Sequence, residues 1–182
     1  GSGLVGGLVG GNSQGLIMNC TAIGSVKGTN SIGGLVGNNY GMIENCSASG
    51  NVSGEKGIGG LVGSNRDDYS KEYLLINGLS IIENCTASGS VCGEDDIGGL
   101  VGYNGGIIEK CSASGNISGE SSVGGLVGVN RGTVEKCSAS ASVSGERSVG
   151  GLVGYISGWI KKCSASSNVK IKEIDYSDVV ID

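Results

Sequence analysis

The chain has 182 residues and a formal net charge of −5, with 38 glycines, seven cysteines and no proline, histidine or phenylalanine. That length suits one domain of ordinary size, and the acidic balance argues against nucleic acid and anionic membrane surfaces, which call for clustered Lys and Arg. The missing histidine removes His-containing triads, HExxH zinc proteases and His-ligated metals, the missing Gly-X-Y period removes collagen, and no window is long and apolar enough to span a bilayer.

Read from the N-terminus, the phrase GGLVG begins at Gly6 and returns at Gly33, Gly59, Gly98, Gly124 and Gly150. The period is 26 residues, with one extra at the first step and thirteen extra at the third. Cysteines keep the same beat at Cys20, Cys46, Cys85, Cys111, Cys137 and Cys163. The working consensus is (I/V)GGLVGxNxGxIExCSASGxVSGE, and each copy carries three short apolar pieces punctuated by Gly, Asn and Ser. Pieces of this length with period-two alternation read as strands, and no stretch holds a helical period long enough for a helix. A set of short strands in about 26 residues is one turn of a parallel β-helix, whose coils stack about 4.8 Å apart. The fold expected is all-β, a parallel β-helix (solenoid) of about six 26-residue coils. The chain opens inside a repeat and shows no signal peptide, which reads as a fragment of a longer protein.

Alternation within IExCSAS places Cys and Ala on one face and Ser or Thr on the other. The interior is therefore expected to hold columns of the Ile43, Cys46, Ala48 and Val52 type, with the Ala column tight enough to accept only a methyl group. In GGLVG the Leu is expected inward and the Val outward, because a straight strand points only one of two neighbours into a core. Two residues after each GGLVG stands Asn12, Asn39, Asn65, Asn104 or Asn130, a column expected to hydrogen-bond along the stack, broken by Ile156. The cysteine column is expected to be free, buried and inert. Cys92 replaces a polar residue of the xVSG piece, so it should face solvent, where it is available to another chain.

Two acidic columns accompany the repeat. Glu44, Glu83, Glu109 and Glu135 lie beside Lys110, Lys136, Lys161 and Lys162, which can pair with them. Glu55, Glu94, Glu120 and Glu146 mark the SGE turn, where Glu94, Asp95, Asp96 and Glu120 are the candidate calcium ligands; no other cofactor is implied. The thirteen extra residues fall within an insertion loop at 64–78. Insertions into solenoids emerge as loops on one face, often the binding face. This one carries Arg66, Asp67, Asp68, Tyr69, Glu72 and Tyr73, with Tyr103 expected at the same corner one coil later. Aromatic rings beside charged groups suit sugar stacking and hydroxyl binding; the plainer reading is a tolerated insertion whose Leu74, Leu75 and Ile76 tuck against the rod. Residues 170–182 leave the repeat and read as a terminal strand, a cap or a linker to a further domain.

GGLVGxNxGxIxxCxAxGxVxG resembles the GLUG motif, a repeat of bacterial surface and secreted proteins, among them IgA-specific metalloproteases and large adhesin-like proteins. The resemblance covers residues 1–169. It implies a right-handed parallel β-helix displayed outside the cell, a hand that also follows the general crossover rule. It implies no protease here, since the metalloprotease signature needs histidine. The expected function is a non-catalytic extracellular repeat module of a larger surface protein, acting in adhesion or as a stalk. Its partners would be a glycan or a host or cell-surface protein, together with other domains of the same polypeptide. A spacer or substrate-positioning domain of a secreted hydrolase is the alternative. The flat Ser/Thr ladders of CSAS raise ice binding as a third.

Overall fold

Each repeat closes into one coil of a parallel β-helix. In the computed structural model, which describes residues 3–67 and 79–172, every strand pairs in parallel with its equivalents in adjacent coils, and no described residue is helical. Four sheets run along the rod. In the third coil, sheet I is Lys56–Gly59, sheet II is Val62–Asn65, sheet III is Ile81–Glu83, and sheet IV is Thr86–Ala87 with Val91–Cys92. Sheets I, II and III hold six strands each, one per coil. In the fourth and fifth coils the two pieces of sheet IV fuse into Ser112–Ser118 and Ser138–Gly145. The repeat sets the register directly: Val62 lies beside Val36 and Val101, and Ala87 beside Ala48 and Ala113.

Corners need residues that leave the strand conformation. Between sheets III and IV the chain turns through Asn19, Asn45, Asn84, Lys110, Lys136 and Lys162, all with φ from 52° to 56°. Asn tolerates this left-handed region because its short amide can bond locally; Lys holds it against its intrinsic preference. A second left-handed column, Ser31, Gly57, Asp96, Ser122 and Ser148, bends the chain within sheet I.

The corner between sheets I and II overturns the expected outward Val stripe. Leu35 and Val36, Leu61 and Val62, Leu100 and Val101, and Leu126 and Val127 are all fully buried. Period-two alternation holds only within a strand. Here Leu sits on the turn and Val opens the next strand, so the change of direction aims both inward. Bare backbone makes the turn sharp enough: a Cβ on Gly59 would stand 2.0 Å from the Val62 carbonyl oxygen, and one on Gly60 2.1 Å from the Gly99 carbonyl oxygen.

That same corner divides the interior into two lobes. One holds the Leu, Val, Ile, Cys and Ala columns represented by Leu61, Val62, Ile82, Cys85 and Ala87. The other packs Ile32, Ile58, Ile97 and Val123 of sheet I against Val52, Val91, Ile117 and Val143 of sheet IV. The second glycine of each GGLVG lies at the waist: a Cβ on Gly34, Gly60 or Gly99 would lie 3.1 Å from the methyl of Ala48, Ala87 or Ala113. The alanine column is narrow because it meets a corner that carries no side chain at all.

Candidate functional site

The repeated asparagines and column cysteines are engaged within the rod. The five asparagines form one continuous ladder, with Asn12 Nδ2 donating to Asn39 Oδ1 at 2.8 Å, Asn39 to Asn65 at 2.8 Å, Asn65 to Asn104 at 2.9 Å and Asn104 to Asn130 at 2.8 Å. Each amide also donates to a turn carbonyl, that of Gly41 at 2.9 Å and Gly106 at 3.1 Å among them. Asn39, Asn65, Asn104 and Asn130 are completely buried, so every rung replaces hydration with a defined partner. Ile156 is exposed and ends the ladder.

The cysteines form a second ladder and are all free. Each of Cys46, Cys85, Cys111 and Cys137 points its thiol at the carbonyl two residues before it, at 3.1 Å. Each sulfur also receives a backbone N–H from the preceding coil at 3.3–3.4 Å. Burial pushes the Cys46 and Cys163 thiols up, and the stacked thiols of Cys137 and Cys85 together with burial raise Cys111 further. Buried neutral thiols of this kind behave as small hydrophobes. Cys92 is exposed, in register with Ser53 and Ser118.

On sheet III the charges pair diagonally. Lys110 Nζ reaches back one coil to Glu83 at 2.8 Å, and Lys136 Nζ reaches Glu109 at 2.9 Å. The hydrogen bond from Lys136 holds the Glu109 carboxyl below its usual range, and the Glu83 and Glu109 contacts raise Lys110 and Lys136. Lys161 stands in the Glu column itself, beside Glu135. The calcium candidates are spread apart. Glu94 and Glu120 are exposed at a turn stacked by its backbone, where Glu94 N donates to the Glu55 carbonyl and Glu120 N to that of Glu94, both at 2.9 Å. Asp95 lies on sheet I beside Lys56 and Ser121, and Asp96 meets the Lys56 ammonium at 3.9 Å. Among the described residues no three acidic or thiol side chains gather as a metal site.

The insertion interrupts the third coil at a defined neck. The chain leaves the coil after Asn65 and is back in register at Ser80, whose neighbour Ile81 pairs with Met42 and Ile107. Ser80 fills the place of Gly41 and Gly106, and its carbonyl accepts from Asn65 Nδ2 at 3.3 Å. Asp67 closes the neck: its Oδ1 accepts from Ser80 N at 2.9 Å and from Ser80 Oγ at 3.2 Å, and Ser80 Oγ also donates to the Arg66 carbonyl. Asp67 is thus a structural clasp as well as a lining residue. Asp68, Tyr69, Glu72 and Tyr73, with Leu74, Leu75 and Ile76, lie outside the described residues.

Above the neck the expected aromatic corner takes form. Tyr103 is directly in register with Ser64, one coil on. Arg66 Nε donates to Ser64 Oγ at 2.7 Å, and its guanidinium carbon lies 4.7 Å from the centre of the Tyr103 ring. Arg131, from the next coil, places its guanidinium carbon 5.9 Å from the same ring. A recess of about 380 Å³ is lined by Arg66, Asp67, Tyr103, Gly105 and Arg131. A smaller one of about 190 Å³ opens on the other side, where Lys56, Ser64 and Asp96 join Arg66 and Tyr103. Of the residues named from sequence, Arg66, Asp67 and Tyr103 come together. Arg131 and Lys56 were missed, although their spacing from Tyr103 in the repeat places both near this corner. Tyr155 is two coils on in the Tyr103 column, whereas Trp159 lies on sheet III beside Thr133.

A family model described as the GLUG motif matches residues 1–27, 28–53, 54–91, 95–118 and 119–144. The chain belongs to the GLUG-motif family. The five matched segments are the first five coils of this GLUG protein, the third lengthened by the insertion, and the sixth coil continues the same sheets beyond them. Searches of curated proteins and of solved structures return no match.

Proposed function

We propose that this GLUG solenoid is a non-catalytic repeat module of a larger extracellular bacterial surface protein, and that it acts in adhesion through the corner at the neck of its insertion. One observation carries the reading: Arg66 and Arg131, two of the chain's three arginines, converge on Tyr103 beside a recess where the thirteen-residue surplus interrupts the repeat. Elsewhere the rungs of the buried Asn and Cys ladders satisfy one another along the rod, which suits a scaffold better than a reaction centre. Glycans and host or cell-surface proteins are the partner classes that a charged aromatic recess fits. Secretion or surface attachment is part of the same proposal, supported by the resemblance to repeats of surface and secreted proteins.

A passive stalk or spacer is the second reading, supported by the unbroken amide and thiol ladders, which stiffen a rod whatever it carries. A glycan and host-protein array separates the two. The wild-type chain is compared with a variant in which residues 66–79 are cut to the length of the standard turn. Binding that vanishes in the variant is expected; no binding by either protein would leave the stalk.

A further inference from the structure

We infer that the recess between Arg66 and Arg131 selects an acidic sugar, with the carboxylate of a uronic acid residue held by the two guanidinium groups. The inference rests on the adhesive reading above and adds the chemical class of the ligand.

The chain as a whole is acidic, at −5. Among the described residues around Tyr103 the balance reverses, with Lys56, Arg66 and Arg131 against Asp67 and Asp96. Both carboxylates are already engaged, Asp67 by Ser80 and Asp96 by Lys56. Among the described residues, neither guanidinium forms an ion pair.

Arg66 is held by its Nε on Ser64, and its guanidinium carbon sits over the Tyr103 ring. A guanidinium anchored through Nε still presents its terminal N–H groups, the arrangement that grips a carboxylate bidentately. Arg131 comes from the following coil onto the same ring, so an anion in the recess meets two forks, each backed by an aromatic face. These contacts lower the entropy lost when the ligand docks.

The surroundings favour a sugar over an extended acidic peptide. A peptide laid on a β-rod gains most of its affinity from unpaired strand edges. Here Val101–Asn104 is hydrogen-bonded on both sides, to Val62–Asn65 and Val127–Asn130, so no backbone edge is offered. The recess is compact, about 380 Å³, a volume that takes one or two sugar rings.

The test is calorimetric titration of the whole chain with trigalacturonate, with its neutral counterpart trigalactose, with a sulfated disaccharide and with an acidic hexapeptide. Trigalacturonate is expected to bind at least about tenfold more tightly than trigalactose, and the preference to shrink as salt is raised. Arg131→Gln should weaken trigalacturonate binding by about tenfold while keeping the wild-type melting temperature, and Arg147→Gln, on sheet I of the last coil, should leave it unchanged. Equal affinity for the charged and neutral sugars, or indifference to Arg131→Gln, overturns the inference. Preference for the sulfated disaccharide or the hexapeptide overturns the uronate assignment. Loop-dependent binding of a neutral ligand on the array would leave the adhesive reading standing and this one fallen. Silence of the array and of all four titrations would remove both.

Discussion

Asp96 combines a backbone angle that most L-residues avoid, φ 59°, with a carboxyl group half-buried beside the smaller recess. Burial is the largest influence on that carboxyl and raises its pKa above the ordinary 3.8; Lys56 at 3.9 Å opposes it, Asp95 adds to it, and Arg131 and Arg66 oppose it from further off. A carboxyl whose folded pKa lies above its unfolded value favours folding only while protonated. Its contribution is complete below pH 3.8 and is lost as pH rises through the folded pKa. Asp96→Asn removes the titration and suits the left-handed angle better. The variant is therefore expected to melt higher than wild type at pH 7, with a difference that narrows as pH falls through the folded pKa and levels off below pH 3.8. Thermal melts at pH 7, 5 and 3 decide the matter, and a difference that stayed constant with pH would assign the whole gain to the backbone. The SGE column made Asp96 visible in the sequence as an acidic turn residue. Its inward lean was not legible, because that depends on the left-handed column shared with Ser31 and Ser122, which no side-chain pattern announces.

At the scale of the element, the corner between sheets I and II carries the strictest demand in the repeat. A Cβ on Gly99 would lie 2.1 Å from the Gly125 carbonyl oxygen and 3.1 Å from the Ala113 methyl, so two backbones and a core column would all have to move. Gly24, at a corner of the first coil, has nothing within 4 Å of the same atom and no left-handed φ. Gly99→Ala is expected to cost roughly 3 kcal/mol or more, by overpacking and lost sheet hydrogen bonds. Gly24→Ala should be neutral or stabilise by about 0.5 kcal/mol, since it only restricts the unfolded chain. Urea titrations of the pair provide the check, and similar midpoints for the two variants would show that the corner yields. The sequence made the strands, their register and the Asn, Cys and Ala columns legible, because an exact repeat turns each identity into a stacked column. It did not reveal that Leu and Val both turn inward, because alternation counts residues along a strand and the strand ends between them. The neck was half legible. The surplus of thirteen residues marked its place, but Ser80 standing in for Gly41 and Asp67 clasping it are consequences of closing the coil.

On the scale of the whole molecule, the rod is close to one-dimensional: each coil touches chiefly the coils before and after it, so stability is a sum of coil and interface contributions. The thiol ladder samples that sum at six depths. Cys46, Cys85, Cys111 and Cys137 are buried, Cys20 and Cys163 in the first and last coils are half-buried, and Cys92 stands outside. Among the described residues of this chain the first and last coils have a stacked neighbour on one side only, so in this chain they are expected to open at lower cost than central ones. A thiol sealed inside a strand stack reacts only after its coil opens. Pulsed iodoacetamide labelling read by peptide mass spectrometry should therefore modify Cys92 first in the native protein. Cys20 and Cys163 should follow in mild urea, and the four central thiols only near the global midpoint. The contrast between Cys163 and Cys111 isolates the end effect, because both donate to the carbonyl two residues earlier and differ chiefly in the coil stacked beyond them. Six column thiols labelling at one rate would mean that the rod opens as a single unit, with the inter-coil interfaces strong enough to suppress fraying. Early labelling of Cys85 would point elsewhere, to the insertion that precedes it, as the place where the stack first parts.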